Sequence, residues 1–349
     1  MPTTLVAEGT SPYGPAPVRA QQRAPGPGPR RNPGRRSGVG CTVPPPAIPF
    51  PRIVVAGATG DLGRRVAAAL AVRGATVLAL HRPGTDPARP SLLRDASAVP
   101  VPVALSDRAA LEAVLRGAAG VVSTLNGLEP TVIGAQEALL DAAVAAGVPR
   151  FVPSDFSLDF TRTRPGDNRN LDLRRRFALR LDAAPVRATS ILNGGFLDLL
   201  SGQAPILARR ARRVLHFGDP DQPLDFTARD DVAAFTADAV LDPDAPRILR
   251  IAGDSPSPVD LAHLMSELSG RPWRPLRLGS IPAMGVLIAT LRTLTPRTDA
   301  PFPIWQGLQY LRDMMSGRGR LHPLDNARYG RTRWSTVRDL FAPSAAAPD

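Results

Sequence analysis

The chain has 349 residues, with 43 basic and 31 acidic side chains and a formal net charge of +12. Every basic residue is arginine, which excludes a Schiff-base lysine, an ammonium proton donor and a P-loop phosphate clamp. Cys41 is the only cysteine and the four histidines lack HExxH spacing, so disulfide, iron–sulfur and zinc-hydrolase chemistry are excluded and no metal is expected.

Residues 1–50 hold 12 prolines and 7 glycines, with Glu8 their sole acid against six arginines. Such a stretch has too little contiguous apolar surface to offset its ordering entropy, and it reads as a disordered tail. No helix-turn-helix or finger accompanies its arginines, so nucleic acid is not an expected partner. It carries no secretory apolar region, and a cytoplasmic protein is expected.

Regular structure is predicted from Arg52 onward. Ile53–Val55 reads as a strand, Val66–Ala71 as a helix closed by Gly74, and Thr76–Leu80 as a second strand. Val99–Ala104 is a third strand, 111–115 a helix and Gly120–Thr124 a fourth strand. Val132–Ala146 is a helix ended by Gly147, and Arg150–Pro153 a fifth strand. Strands apolar on both sides, alternating with helices, predict an α/β fold with a doubly wound parallel sheet. Leu171–Leu181 (helix), Arg187–Leu192 (strand), Asp230–Leu241 (helix), Ile248–Ile251 (strand) and Val259–Leu268 (helix) continue the pattern. Met284–Leu294 is apolar but too short to span a bilayer and contains Arg292; it reads as a buried or cleft-lining helix, with no membrane partner.

Gly57, Thr59, Gly60, Asp61, Leu62 and Gly63 form a GxxGxxG turn between the first strand and an alanine-rich helix. Gly57 permits the tight turn, Gly60 lets backbone approach a pyrophosphate, and Gly63 lets the helix pack near the strand. The helix N-terminus supplies free N–H groups and partial positive charge, so the turn is a candidate dinucleotide site. At the end of the second strand an NAD site wants an acid for the ribose 2′-hydroxyl. Here Arg82 follows His81, and its guanidinium fork suits a 2′-phosphate, with Arg64 in support; NADP(H) is the expected cofactor.

These residues resemble the NmrA-like and isoflavone-reductase-like branch of the atypical short-chain dehydrogenases. Gly57-Ala-Thr-Gly60-Asp-Leu-Gly63 is similar to its GATGxxG opening, and Gln136…Gly147-Val-Pro-Arg-Phe-Val-Pro153-Ser-Asp-Phe156 to its helix–strand signature. Thr189–Phe196, Asp230–Ala233 and Ile251–Gly253 match later segments. The resemblance implies a Rossmann domain over 51–200 and a smaller C-terminal α/β substrate domain over 201–342. A strand at 247–251 would return to the first sheet, and 343–349 would form a tail. By position, Ser123, Thr124 and Asn126 would line the cofactor, Pro153, Ser154, Asp155 and Phe156 would sit beside the nicotinamide, and Asn193 and Phe196 would form a substrate wall. The family's lysine has no counterpart, and Arg174 is its positional match. Arginine can polarise a substrate oxygen but is a poor proton donor. The YxxxK pair is absent too, so proton transfer would come from water, Ser154 or a tyrosine of the C-terminal half, or not occur at all. Asp155 is a candidate to orient Arg174. His216, His322, Trp305, Met314 and Met315 read as structural, as does Tyr310 by its place among them.

Two functions follow from the resemblance. One is a reductase of a small apolar or aromatic carbonyl or alkene, with Arg174, Ser154 and Asp155 at its reacting centre. The other is a non-catalytic NADP(H) sensor that regulates a protein partner; a monomer or homodimer suits either.

Overall fold

The computed structural model describes residues 50–296 and 300–342. The proline-rich tail, with Tyr13 and Cys41, and the tail over 343–349 lie outside the described residues, Phe50 apart. From Arg52 the expected alternation runs β1 (Arg52–Ala56), α1 (Asp61–Val72), β2 (Thr76–His81), α2 (Ala88–Asp95), β3 (Val99–Pro102), α3 (Arg108–Leu115) and β4 (Gly120–Ser123). A π-helical turn (Pro130–Ala135) then leads into α4 (Gln136–Ala145), followed by β5 (Arg150–Val152), α5 (Arg169–Asp182) and β6 (Arg187–Ala188). All six strands are parallel, in the order β3-β2-β1-β4-β5-β6, so the winding reverses between β1 and β4. In such sheets ligands bind outside the carboxyl ends of the strands at the reversal.

The remaining elements are β7 (Ser190–Leu192), β8 (Gly195–Phe196), β9 (Leu207–Ala208), β10 (Arg213–Phe217), β11 (Phe226–Thr227), α6 (Arg229–Leu241) and β12 (Ile248–Arg250). After them come α7 (Pro258–Ser269), β13 (Arg274–Gly279), α8 (Ile281–Leu294), α9 (Ile304–Met315) and α10 (Val337–Phe341). The strand expected over Arg187–Leu192 breaks at Thr189. The Thr189 N–H still reaches Phe151 O, at 3.0 Å, while Ser190 N–H turns to Arg247 O, at 2.8 Å. Consequently the strand expected to return to the first sheet, β12, pairs with β7 instead, in a two-stranded parallel sheet of their own.

Three apolar cores explain the layering. Val66 and Leu70 of α1 meet Val232 and Phe235 of α6 on one face of the large sheet. Leu111 of α3, Leu139 and Leu140 of α4 and Phe177 of α5 cover the other. The third core joins Leu158, Phe160 and Leu171 to Leu224, Leu261, Trp273 and Met314. Residues on both sides of position 200 therefore share one core, and α6 belongs to the Rossmann layer. The two halves interleave rather than divide at 200. Met284 and Ile288 tuck the middle of α8 into the third core, but Val286, Leu287 and Leu294 are exposed, so this helix is only half buried.

Candidate active site

The glycine turn is made of backbone in close contact. Gly57 has φ +78°, a conformation that side chains with a Cβ rarely adopt, and the Gly60 N–H closes the turn on Gly57 O at 3.0 Å. A Cβ on Gly63 would lie 2.4 Å from Gly57 O and 2.6 Å from Thr124 Oγ1, so α1 can start here only on glycine. Thr124 secures the arrangement from the end of β4: its N–H and its hydroxyl both donate to Ala56 O, each at 2.9 Å. Gly60 caps α1 without a side-chain bond, leaving the first N–H groups of the helix for a ligand. Asp61 does not face such a ligand freely, for its carboxylate is held by Arg65 at 3.0 Å and by Arg229 at 3.4 Å. Thr59 and Leu62 are half-buried in the turn.

Arg82 stands exposed just beyond β2, where Thr85 N–H and hydroxyl both bond its carbonyl, at 3.1 and 2.6 Å. Its guanidinium has no partner among the described residues, whereas Arg64 is already 3.5 Å from Asp61. Across the reversal point, Ser123 ends β4 fully buried with its hydroxyl unpartnered, and Asn126 is exposed three residues on.

The segment after β5 is anchored by a residue whose role the sequence did not reveal. Gln136 is fully buried, and its Oε1 accepts from Ser154 N–H at 2.9 Å while its Nε2 donates to Val132 O at 2.8 Å. The π-helical turn before α4 carries Val132, and widened turns of this kind recur at functional sites. Ser154 Oγ donates to Leu125 O at 2.6 Å, which commits its proton to the backbone. Phe156 is buried in the core of the first face, with Pro153 beside it in the chain also buried.

Asp155 has no solvent exposure, and burial pushes its carboxyl pKa up against the opposing pull of Ser190 and Arg174. Its Oδ2 accepts from Ser190 Oγ at 2.6 Å, and Oδ1 has no partner. Asp155 therefore does not orient Arg174 through a hydrogen bond: Oδ2 is taken by Ser190, Oδ1 is left without a partner, and the Arg174 guanidinium bonds Asn170 O instead. Arg174 is buried on α5, with Nη1 on Asn170 O at 3.0 Å and Nε unpartnered. Leaving a buried donor unmatched costs about 1–3 kcal/mol, so such groups mark places where a ligand completes the bonding.

Asn193 supplies another such group. It is fully buried at the end of β7, and its Oδ1 is unpartnered. Phe196 is half-buried beneath the Arg229 guanidinium, 4.6 Å from the ring centre, and Arg229 also pairs with Asp198. The ring is thus stacked rather than bare.

Helix α9 completes the site. Asn168, the cap of α5, donates to Asp313 Oδ2 at 3.0 Å and accepts from Gln306 Nε2 at 2.8 Å, while Arg169 N–H reaches Gln309 Oε1 at 3.2 Å. This clamp sets Tyr310 against α5. Burial raises the Tyr310 pKa, with Arg174 and a hydrogen bond from the Asn170 side chain acting in the opposite direction. Asn170 gives its carbonyl to Arg174 at 3.0 Å, while its side chain donates to Pro301 O at 3.0 Å and accepts from Arg169 Nε at 3.1 Å. Trp305, Met314 and Met315 are buried, as their spacing suggests, and Tyr310 is half-buried, packed against the same core with its ring 6.1 Å from that of Phe302. His216 is buried on β10 and His322 is exposed; neither joins this group.

The NmrA-like family model matches residues 51–289, more than half of the chain and all of the elements just described up to the middle of α8. The chain belongs to the NmrA-like family. It is 34% identical over 205 residues to the isoflavone reductase homolog IRL of Zea mays, which covers 56% of this chain and 65% of that protein. It is also 30% identical over 206 residues to pinoresinol reductase 2 of Arabidopsis thaliana, at 55% and 65%. The chain thus matches a little under two thirds of the length of these NmrA-like relatives. Among solved structures it resembles AtPrR2 with NADP+ and (+)pinoresinol, with a TM-score of 0.70 and 21% identity over 84% of this chain and 99% of that one. The leucoanthocyanidin reductase–NADPH complex from Vitis vinifera gives a TM-score of 0.69 and 23% identity, over 83% and 98%. Both likenesses establish a shared fold.

Proposed function

We propose that this protein is an NADPH-dependent reductase of a small apolar or aromatic carbonyl or alkene. The observation that carries the reading is the buried Arg174 of α5, whose Nε has no partner, with Tyr310 of α9 close enough for its hydroxyl to feel that charge. A dinucleotide fits the residues present. The glycine cradle admits no Cβ, α1 offers uncapped N–H groups, Arg82 is free for a 2′-phosphate, and Ser123 Oγ and Asn193 Oδ1 are buried without partners. The relatives support it too, being reductases by name, two of them solved with NADP+ or NADPH.

When bound, the reduced nicotinamide supplies a hydride to a substrate carbon. Arg174 polarises the substrate oxygen, holding its developing negative charge in a pocket of low dielectric where a fixed cation acts strongly. Arginine cannot release a proton at neutral pH, so the proton must come from elsewhere. Ser154 is unsuited, its hydroxyl being spent on Leu125 O. Tyr329 is also unsuited: it packs on Phe235 and bonds Asp242 at the far end of α6, with its pKa raised to about 12. Tyr310 remains, protonated at neutral pH and adjacent to Arg174. It donates its proton to the substrate as the hydride arrives and is reprotonated from solvent. Gln136 acts as a positioning residue by fixing Ser154 and the loop after β5.

Purified protein should consume NADPH with a panel of aromatic aldehydes, enones and quinones. Tyr310→Phe should lower kcat about 10²–10⁴-fold, the usual worth of a general acid, with NADPH affinity unchanged. If the Tyr310→Phe enzyme turns over as fast as the wild type, with the same pH profile, Tyr310 has no part in the mechanism. The absence of lysine supports a second reading, an NADP(H) sensor that regulates a protein. Equal affinity for NADP+ and NADPH with no turnover on the panel would count against the reductase.

A further inference from the structure

A cleft lies at the amino ends of the strands, away from the glycine turn. Its walls come from the starts of β1, β5 and β6 and from the end of α6, and it holds about 820 Å³. Small-molecule sites usually have about 300–1,000 Å³. The glycine turn follows the other end of β1, five residues on, or about 16 Å at about 3.3 Å per residue. The cleft is therefore separate from the candidate active site.

Ile53, Pro149, Val186, Val240 and Leu241 give the cleft an apolar lining. Against them stand the guanidinium groups of Arg150 and Arg187, and the lining has no carboxylate. Both arginines donate Nη1 to one oxygen, Pro243 O, at 3.2 and 2.6 Å, which sets two cations side by side. Neither has an ion pair among the described residues. Asp182 and Asp242, which flank them in the chain, pair with Arg247 and Arg328 instead, and exposed Asp244 lies outside the lining. Arg150 is only 6% exposed. Its Nη2 bonds Thr189 Oγ1 at 3.0 Å and Ala239 O at 3.2 Å, and its Nε has no partner. Burial lowers its pKa, with Asp242 acting in the opposite direction and Arg187 adding to the fall. Arg187 is exposed, and its Nε and Nη2 have no partner among the described residues.

We infer that this cleft binds a small apolar molecule ending in one carboxylate, with its hydrocarbon on Ile53, Val186 and Val240 and its carboxylate on the free edge of Arg187. Two adjacent cations without an acid repel each other, and an anion beside them relieves that repulsion. A carboxylate also matches the guanidinium fork, accepting two parallel bonds from Nε and Nη2. An uncharged hydrocarbon would leave both cations unanswered. A nucleotide fits poorly as well, since apart from the two arginines no lining side chain can donate or accept a hydrogen bond, and its hydroxyls and base would be desolvated unmatched. The site uses neither the cofactor nor Arg174, so it is independent of the reductase reading.

The test is calorimetry of the full chain with 2-naphthoate and with octanoate, an aromatic and an aliphatic acid. At least one should bind with submillimolar affinity, and the stronger names the shape of the hydrocarbon. Saturating NADPH should leave that affinity unchanged. The uncharged amide of the same acid should bind about tenfold more weakly or worse, the worth of a charged hydrogen bond. Arg187→Ala, at an exposed position, should lose about as much, and Ala184→Trp, which puts an indole into the cleft, should abolish binding; the unfolding midpoint of each variant checks that it folds. The proposal is overturned if neither acid binds at millimolar concentration, or if acid and amide bind equally. Equal binding by wild type and both variants, or displacement by NADPH, would place the acid elsewhere and overturn it too. Poly-glutamate that binds more tightly than either acid and is lost in Arg187→Ala would make an acidic peptide the occupant instead.

Discussion

At the glycine turn, contacts run from backbone to backbone: Gly57, Gly63, Ala56 and Thr124 close on one another, and the N–H groups that are left open are those of the first turn of α1. At the Arg174 pocket the contacts run between side chains of helices more than 100 residues apart, and Asp155 Oδ1, Arg174 Nε and Asn193 Oδ1 have no partners. On the proposed reading the first region is a rigid cradle for the cofactor's diphosphate, and the second is an unfinished set of bonds that a substrate would complete. Binding and selectivity are thereby assigned to different chemistry.

If that contrast holds, the cradle should tolerate substitution least. Gly63→Ala places a methyl group 2.4 Å from Gly57 O, and should destabilise the fold by about 3 kcal/mol, the upper end for overpacking, read by urea unfolding. Gly134→Ala, whose Cβ meets nothing within 4 Å, is the control and should change stability little. Similar midpoints for the two proteins would mean that the cradle yields. Next in size comes the end of β2. Arg82→Ala should weaken NADPH about ten- to a hundredfold, the worth of one charged hydrogen bond, and leave NADH unaffected in calorimetry. Arg64→Ala should do much less, because Asp61 already holds that guanidinium. Equal losses for the two cofactors would remove Arg82 from 2′-phosphate recognition.

The same contrast governs how much of the protein was legible in its sequence. Glycine spacing, flanking apolar runs and helix ends are local signals, and β1, α1, β4 and α4 lie close to where those signals put them. Short pieces such as β8, β9 and β11, two residues each, fall below any periodicity, and β13 is almost wholly exposed and contains Pro275. The break at Thr189 depends on which carbonyl Ser190 finds, a fact of tertiary structure. Likewise, the sequence placed Asp155 directly after β5 through its resemblance to the family signature, but its partner Ser190 was not legible. Tyr310 reads as core because Trp305, Met314 and Met315 around it are core, and it does pack there; that the charge of Arg174 also reaches it depends on how α9 docks on the start of α5, where Asn168 bonds Asp313 and Gln306. Gln136 stood inside a recognisable motif, yet its bond to Ser154 spans 18 positions.

Asp155 offers the finest test of the unfinished pocket, through pH. Burial raises its pKa in the folded protein, whereas in the unfolded chain it titrates near the ordinary value of about 3.9. Between those two values the folded state holds a proton that the unfolded state has released, so stability must fall as pH rises, by up to about 1.4 kcal/mol per pH unit. Below the unfolded value the contribution is complete, and above the folded value the loss is complete. Asp155→Asn keeps an oxygen for Ser190 and cannot ionise, so its stability relative to wild type should improve as pH rises from about 4 and then level off where Asp155 finishes titrating. Asp225 and Asp313, also raised by burial, titrate in both proteins and cancel from the difference. A difference in unfolding free energy that stays flat with pH would show Asp155 ionised throughout and fully compensated, and the pocket would then be complete without a ligand.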